Sequence, residues 1–256
     1  WQKLFGQVLA VFVLIKSGVR IQIVVFPDWL DLLLTVIWML GIINAFNLVD
    51  IMDGLSASIG LVGATLLSAV AILNGDTTIA FLGVALAGSL VGFLRYNFHP
   101  AKIYMGDAGA LFLGLMLGAL AMIGEYSTNH PVSVLTPVFI LGVPIFDMVF
   151  VMYIRWLRGL PVFLGSPDHV PLRLRHWGMT VPQVVILSAI ATGVIGSIGL
   201  ALMVVTSETA WMMVGATLVG GGVLVLLLRR VDVSAPGTGA LEQAAVSEGQ
   251  GGKSRV

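Results

Sequence analysis

The sequence predicts an all-α fold, a polytopic membrane helical bundle of about eight transmembrane helices whose cytoplasmic loops carry the candidate site. Three observations predict it. The 256 residues are 58% hydrophobic and only 10% charged, whereas a soluble domain has roughly 25% charged residues. Apolar segments of near-membrane length recur along the chain. Lysine and arginine are concentrated in alternate loops. Net charge is zero, which argues against a nucleic-acid partner, and the absence of cysteine excludes disulfides and thiolate sites.

Eight segments approach the length of about 20 apolar residues that one span requires. The first of them is short, and we expect it to be the end of a longer or tilted helix. In chain order the candidates are Leu4–Ile15, Leu30–Phe46, Ser56–Leu73, Ile79–Leu94, Ala108–Ile123, Val134–Tyr153, Val181–Val205 and Trp211–Leu228.

The distribution of basic residues predicts the orientation of the bundle. Cytoplasmic loops are enriched in lysine and arginine, and the loops 74–78, 124–133 and 206–210 contain neither. Lys16 and Arg20, in the first external loop, are exceptions. Both ends of this chain are therefore predicted to be cytoplasmic. The loops on that side contain Arg95, Lys102, Arg155, Arg158, Arg173, Arg175, Arg229 and Arg230.

The domain organisation follows from the same pattern. Residues 1–231 form one membrane-embedded domain, and residues 232–256 are too poor in apolar residues to fold alone, so we expect a disordered cytoplasmic tail. The chain starts at Trp1 instead of a methionine, directly inside an apolar segment. We expect the natural N-terminus to lie upstream.

A polar stripe at the join of the second and third spans is the first candidate site. Asn44, Asn47, Asp50 and Asp53 recur every third residue and form one slowly winding stripe on a helix. Because polar groups are unfavourable in a membrane, the default interpretation is functional. The alternative is a polar connection in headgroups or water.

A second acidic cluster, Tyr104 to Gly109, strengthens the functional interpretation. Carboxylates and amides without cysteine suit a hard cation such as Mg²⁺, which binds one or two carboxylates together with substrate phosphates. Here Asp107 lies between glycines, and the helix that starts near Ala108 offers its N-terminus to an anion. Tyr104 could present its ring to a base, or it is an interfacial aromatic residue.

The longest internal loop, Ile154 to Thr180, contains four arginines, Asp168, His169 and His176. Arginine pairs with phosphate oxygens through two parallel hydrogen bonds, so this loop could clamp a phosphorylated substrate. The alternative is an interfacial segment that binds anionic headgroups in general. A metal-suited acidic centre and a basic loop on one face together favour phosphoryl transfer at the membrane surface.

At this point the residues resemble a known family, the polyprenyl-phosphate N-acetylhexosamine-1-phosphate transferases of glycosyltransferase family 4. The stripe with its following Gly54-Leu55 is similar to the family motif Asn-x-x-Asn-x-x-Asp-Gly-x-Asp-Gly. The segment from Asn97 to Gly109 resembles Asn-x-x-Pro-Ala-x-x-Phe-Met-Gly-Asp-x-Gly-Ser. Pro144-Ile-Phe-Asp147 followed by Arg155 and Arg158 also fits, and the resemblance covers about residues 1–178.

The resemblance implies transfer of a sugar 1-phosphate from a UDP-sugar to a polyprenyl phosphate, typically undecaprenyl phosphate, with release of UMP. It implies Mg²⁺ as cofactor, with Mn²⁺ as an alternative, and a multi-pass protein of the bacterial inner membrane. The expected partners are the UDP-sugar, the lipid phosphate and the membrane; a homodimer is left open. The implied catalytic residues are Asp50, Asp53 and Asp107, with Asp107 as the metal ligand, and the implied substrate-binding residues are Asn47, Asn97, Tyr104, His169 and Arg173.

Four departures from the family pattern affect this expectation. Ile51 replaces a glycine and Ala110 replaces a serine. In the long loop, Pro171 and Leu172 occupy expected histidine positions, although His169 and Arg173 keep a spacing of four. No adjacent aspartate pair, which the family carries in an earlier cytoplasmic loop, occurs in this sequence. We expect this pair just upstream of Trp1; the alternative is an inactive relative.

Two other functions compete with the transferase. An intramembrane aspartyl protease would need Gly-x-Gly-Asp, and Tyr104 stands at the first glycine. An ion- or proton-coupled transporter would use the acids as relay groups near the middle of the membrane. The acids here lie mainly at the cytoplasmic ends of the spans, which favours the transferase.

Overall fold

The structure, a computed structural model, describes residues 2–22, 26–124, 126, 131–162 and 166–231. It confirms the all-α class. The described residues form ten α-helices and one 3₁₀ turn, Pro131–Leu135. The helices are α1 (Gln2–Lys16), α2 (Asp28–Val49), α3 (Leu55–Leu73), α4 (Thr77–Asn97), α5 (Gly106–Ile123), α6 (Thr136–Ile140), α7 (Gly142–Leu157), α8 (Val170–His176), α9 (Val181–Ala201) and α10 (Ser207–Leu228). The predicted tail, 232–256, lies outside the described residues.

Six of these helices, α2, α3, α4, α5, α9 and α10, are long and apolar enough to cross a membrane. The first predicted span is shorter: α1 has 15 residues, about 22 Å of helix, against about 30 Å of hydrocarbon. The predicted span Val134–Tyr153 is bent by 78° between Ile140 and Gly142, and counts as a seventh span if its two halves cross together. A continuous helix would press the ring of Pro144 against the carbonyl of Ile140, which accounts for the break.

Helix α3 lies at the centre of the bundle and packs against α4, α5 and α9. Its first half is built of small residues, and Ser56, Ala57 and Gly60 are all buried. A Cβ on Gly60 would lie 2.8 Å from the Leu113 side chain of α5, so a larger residue would require that side chain to shift. Van der Waals packing between small residues is the main source of helix association within a membrane.

Close packing of α2 on α5 positions the candidate site. A Cβ added to Gly114 would lie 2.8 Å from the backbone of Ile43, and one added to Gly118 would lie 3.2 Å from the sulfur of Met39. The two helices therefore run in direct contact, and the end of α2 meets the beginning of α5. Asn47, one turn beyond Ile43, is thereby brought to Asp107, two turns before Gly114.

Candidate active site

The end of α2 and the beginning of α5 form a carboxylate–amide site, which we define as Lys3, Asn47, Asp50 and Asp107. The Asn47 side-chain amide donates to Oδ1 of Asp107 at 3.0 Å. The Lys3 ammonium donates to the Asn47 carbonyl oxygen and lies 3.6 Å from Oδ2 of Asp107. The Asp107 side chain is 78% exposed, so the carboxylate faces the surface with room for a ligand.

Lys3 was absent from the sequence-based site, and helix α1 brings it there. One turn further along α1, Gln7 and Asn44 exchange hydrogen bonds of 3.1 and 3.3 Å through their amides. A further turn along, Val11 packs with Met39 and Ile43 of α2. The sequence carries a signal for this contact, because Lys3 and Gln7 are four residues apart and so lie on one face of α1, and Asn44 and Asn47 lie on one face of α2.

Asp50 directly follows the last residue of α2, and its carboxyl is half-buried. Burial, and secondarily the negative charge of Asp107, raise the pKa of Asp50 to about 6. Burial disfavours the charged form of a carboxyl, and a neighbouring carboxylate adds to the effect. A bound cation would offset the negative charge of Asp107 and so relieve its effect on Asp50.

Asp53 has the opposite environment. His99 Nδ1 lies 2.9 Å from its Oδ2, and the Ala101 amide donates to the same oxygen at 3.1 Å. The hydrogen bond from His99, followed by that from Ala101, holds the pKa of Asp53 below its usual value. This carboxylate therefore stays ionised and joins the α2–α3 turn to the α4–α5 loop.

The Asn97 side chain forms a second set of hydrogen bonds that join the α2–α3 turn to the α4–α5 loop. Its carbonyl oxygen accepts from the Gly54 amide at 3.1 Å, and its amide donates to the Ile103 carbonyl at 2.9 Å. The side chain is buried. Gly54 has a φ of +78°, a conformation that favours glycine and sets the start of α3. Tyr104, in the same loop, is 74% exposed, so its ring is available to a ligand.

The long loop contributes a separate group of charges, the loop-anchor cluster, defined as Asp147, Arg158, Asp168, His169 and Arg173. Within it, Asp147 of α7 contacts His169 Nδ1 at 2.7 Å and accepts from the Val170 amide at 2.7 Å. Both side chains are buried. The carboxylate thus satisfies the first amide of α8 and fixes the imidazole orientation.

Asp168 and Arg173 form the second half of the loop-anchor cluster. Nη2 of Arg173 lies 2.6 Å from Oδ1 of Asp168, and Nη1 of Arg158 lies 3.1 Å from the same oxygen. The Ser166 hydroxyl donates to Oδ2 of Asp168 at 2.7 Å. Asp168 is buried, whereas the Arg158 side chain is 38% exposed.

The structure thus divides the predicted site residues. Asn47, Asp50 and Asp107 come together at the α2–α5 junction, and Asp53, Asn97 and Tyr104 belong to the loops beside it. His169 and Arg173 lie in the loop-anchor cluster, and their hydrogen-bonded partners described above are internal to the protein. Their predicted contact with a substrate stays a prediction.

The donor set at the α2–α5 junction is suited to Mg²⁺. No group of three or more histidine, cysteine or acidic side chains that could hold a metal occurs among the described residues. Mg²⁺ does not require one, since it takes one or two carboxylates and completes its shell with water and substrate phosphates. The exposed Asp107 carboxylate, with Asp50 beside it, supplies the carboxylates that this requires.

Comparison with known proteins identifies the family. The profile of glycosyl transferase family 4 matches residues 1–125. The chain is 39% identical over 184 residues to a probable undecaprenyl-phosphate N-acetylglucosaminyl 1-phosphate transferase of Bacillus subtilis, an alignment covering 72% of this chain and 51% of that protein. The chain belongs to glycosyl transferase family 4. The resemblance noted in its motifs is confirmed.

Two further relatives support this assignment. A decaprenyl-phosphate N-acetylglucosaminephosphotransferase of Mycobacterium leprae is 32% identical, over 90% of this chain and 66% of its own length. An undecaprenyl-phosphate alpha-N-acetylglucosaminyl 1-phosphate transferase of Escherichia coli K12 is 28% identical, over 70% of this chain and 49% of its own length. This chain of glycosyl transferase family 4 therefore spans about half to two thirds of the curated relatives it matches.

Proposed function

We propose that this chain carries the donor-binding and metal-binding part of a transferase that moves N-acetylglucosamine 1-phosphate from its UDP-sugar to a polyprenyl phosphate, releasing UMP. The observation that carries the proposal is the carboxylate–amide site: an exposed Asp107 held by Asn47, beside the half-buried Asp50 and the Lys3 ammonium. The family assignment and the names of the relatives support the reaction class.

Asp107 and Asp50 would hold Mg²⁺, with water and donor phosphates completing its shell. The ion supplies charge neutralisation on the transferring phosphoryl group, the main lever available to such catalysis. Asn47 orients Asp107 through the 3.0 Å hydrogen bond. Lys3 adds a positive charge beside the same carboxylate, where it can contact a phosphate oxygen once a donor is bound.

The neighbouring loops provide the surface for the nucleotide. Asp53 and Asn97 join the α2–α3 turn to the α4–α5 loop through hydrogen bonds. The exposed ring of Tyr104 therefore lies on a loop whose position is fixed by these contacts. Aromatic rings stack on nucleobases with little sequence or shape requirement. We assign Tyr104 the role of a platform for uracil.

The transferase assay uses the protein produced from its complete reading frame, purified in detergent. Incubation with UDP-N-acetylglucosamine and undecaprenyl phosphate should release UMP and a lipid-linked sugar, and EDTA should stop the reaction until Mg²⁺ or Mn²⁺ is restored. A parallel incubation with a UDP-muramyl-pentapeptide donor should give no product. Absence of lipid-linked sugar under all these conditions would contradict the proposal and favour the inactive relative.

Cytoplasmic placement of the site can be tested directly because the protein has no cysteine. Alternating spans put Tyr104 and Arg175 at one end of the bundle and Thr78 and Ser207 at the other, and all four are exposed. Single cysteines at Thr78 and Ser207 should react with an impermeant maleimide in intact cells. Those at Tyr104 and Arg175 should react only after permeabilisation. The reverse pattern would place the site outside.

A further inference from the structure

Arg173 is a fully buried cation whose partners come from two distant parts of the chain. Its side chain is 0% exposed. Nη2 contacts Oδ1 of Asp168 at 2.6 Å, and Nε donates to the Asp168 carbonyl at 3.2 Å. Nη1 donates to the carbonyl of Leu228 at 2.9 Å and to that of Val231. The guanidinium therefore joins the long loop to the C-terminal end of α10.

The carbonyls of Leu228 and Val231 explain why an arginine suits this position. Leu228 is the last residue of α10, and the last carbonyls of a helix have no partner within the helix and carry a partial negative charge. Val231 lies three residues beyond the helix, and its carbonyl is a second acceptor. A planar guanidinium can donate to them and to a carboxylate at the same time, which a lysine ammonium does less well. The ring of Phe150, 5.3 Å from the guanidinium carbon, covers one face of it.

Helix α10 has few other anchors. Its buried residues are Ala210 and Val214 near its beginning and Leu228 at its end. Ala210 and Val214 pack with Val132, Phe139 and Leu202, whereas Leu228 packs with Phe150 and Ile154 of α7. The inner end of α10 is thus held by Leu228, by Val225 packed beside it and by the hydrogen bonds from Arg173.

Helix α8, only seven residues long, is held by buried charged groups at its beginning and at its middle. At its beginning, Asp147 of α7 binds His169 and the Val170 amide. Further along, Arg173 binds the end of α10. A helix this short is not stable by itself, so its place in the fold depends on tertiary contacts. These are the two polar attachments to different membrane helices, together with the packing of Val170 and Leu174 against the Phe150, Ile154 and Leu228 cluster.

We propose that Arg173 is a positioning residue that fixes α8 and the segment before it to the C-terminal end of α10. Helix α10 thereby helps to hold the long loop in the position in which it would contact the UDP-sugar. The functional half of this inference rests on the proposed transferase. Without Arg173 the loop would sample several positions, and donor binding would have to select the competent one. Apparent affinity then falls by the fraction that is competent.

The structural test measures the distance between two spin labels, attached to His176→Cys and Arg230→Cys. Both positions are exposed, and labelling is specific because the sequence contains no other cysteine. The distance distribution should be narrow in the parent and clearly broader with Arg173→Met. Arg173→Lys and Asp168→Asn should broaden it less. Arg175→Met is the matched control, an exposed arginine on the same helix, and should leave the distribution unchanged.

A second label pair, Thr78→Cys and Ser207→Cys, reports on the other end of the bundle, including the start of α10. Arg173→Met should not change this distance. If both pairs broaden, Arg173 is a general stabiliser and the positioning role is overturned. If neither distance distribution broadens in Arg173→Met, the positioning role is also overturned. Should Arg173→Met fail to fold, the same criterion applies to Arg173→Lys and Asp168→Asn.

The kinetic readout separates positioning from substrate contact. If the competent fraction falls to about a tenth, the KM for the UDP-sugar rises about tenfold while kcat changes much less. A direct contact would lower kcat/KM without broadening the label distances, and this outcome would overturn the positioning role. If no transferase activity exists in the parent, the proposed function fails, and the label distances alone decide whether Arg173 fixes α8 to α10.

Discussion

The carboxylate–amide site and the loop-anchor cluster each combine two aspartates with basic side chains, but they differ in charge balance and in access to solvent. In the first, Asp107 is exposed and the pKa of Asp50 is raised to about 6 by burial and by its acidic neighbour. In the second, Asp168 and Asp147 are buried, and each is bound by a basic side chain. Unbalanced charge that faces solvent suits ligand binding, whereas balanced charge that is buried suits the fixing of a loop.

The largest effect is expected on stability, from a substitution that removes a charge from the loop-anchor cluster. Asp168→Ala leaves the buried guanidinium of Arg173 without its carboxylate, and loss of one member of a buried ion pair costs about 3–5 kcal/mol. Folded yield and thermal midpoint in detergent should fall sharply. The control is Asp28→Ala, whose carboxylate is 88% exposed, and its effect should stay below about 1 kcal/mol. Equal effects in the two variants would remove the distinction between the two regions.

The next effect is functional and belongs to the carboxylate–amide site. Asp107→Asn keeps the size of an exposed side chain but removes the charge that would hold the cation. Transferase activity of the complete protein should fall by roughly a hundredfold to a thousandfold. Its elution volume in size-exclusion chromatography and its thermal unfolding midpoint should be nearly unchanged. Glu208→Gln, an exposed acid at the opposite end of the bundle, serves as control. Retained activity at saturating Mg²⁺ would exclude Asp107 from the mechanism.

Lys3→Met tests the residue that the sequence did not single out. One charge-assisted contact to a phosphate is worth about 1.5–3 kcal/mol, so kcat/KM should fall roughly tenfold to a hundredfold. Lys16→Met, an exposed lysine at the other end of α1, should have no effect. A similar loss in both variants would indicate a general effect of charge near the membrane instead of a specific contact.

The smallest expected effect is a change in the pH dependence of stability when Asp50 is replaced. Because the pKa of Asp50 is raised in the folded protein, its ionisation opposes folding: stability is fully present below the unfolded pKa near 4 and is lost as pH rises through about 6. Asp50→Asn should therefore raise the thermal midpoint at pH 7.5 but not at pH 4. Since the carboxyl is half-exposed, the gain should be no more than about 1 kcal/mol.

The Asp50→Asn measurement requires EDTA, because a bound cation would relieve the same repulsion. Asp53→Asn is the matched comparison within the same turn. The pKa of Asp53 is lowered by His99 and Ala101, so its stabilisation is present above the unfolded pKa and lost as pH falls through the folded one. This substitution should lower the midpoint at pH 7.5. A gain from both substitutions would contradict the difference in environment.

Sequence by itself determined the class and the family, and it singled out Asn47, Asp50 and Asp107, which the structure brings together at the α2–α5 junction. Hydrophobic segments of span length are a local property, and so is a motif such as Asn44 to Gly54. The predicted spans from Ser56 to Ile123 therefore agree with α3, α4 and α5 to within about two residues at most ends. The bend before Gly142 was not predicted, because the apolar composition continues through it and outweighed Pro144 in the prediction.

Only the tertiary structure decided what each polar residue touches. Asp50 and Asp53 are three residues apart, yet their pKa values are shifted in opposite directions, because one is desolvated beside Asp107 and the other accepts hydrogen bonds from the α4–α5 loop. For Arg173 the family resemblance implies a contact with the substrate, which stays a prediction, and the structure shows its guanidinium buried against the carbonyls of Leu228 and Val231. Burial and distant backbone partners arise from packing between helices, and no local pattern in the sequence encodes them.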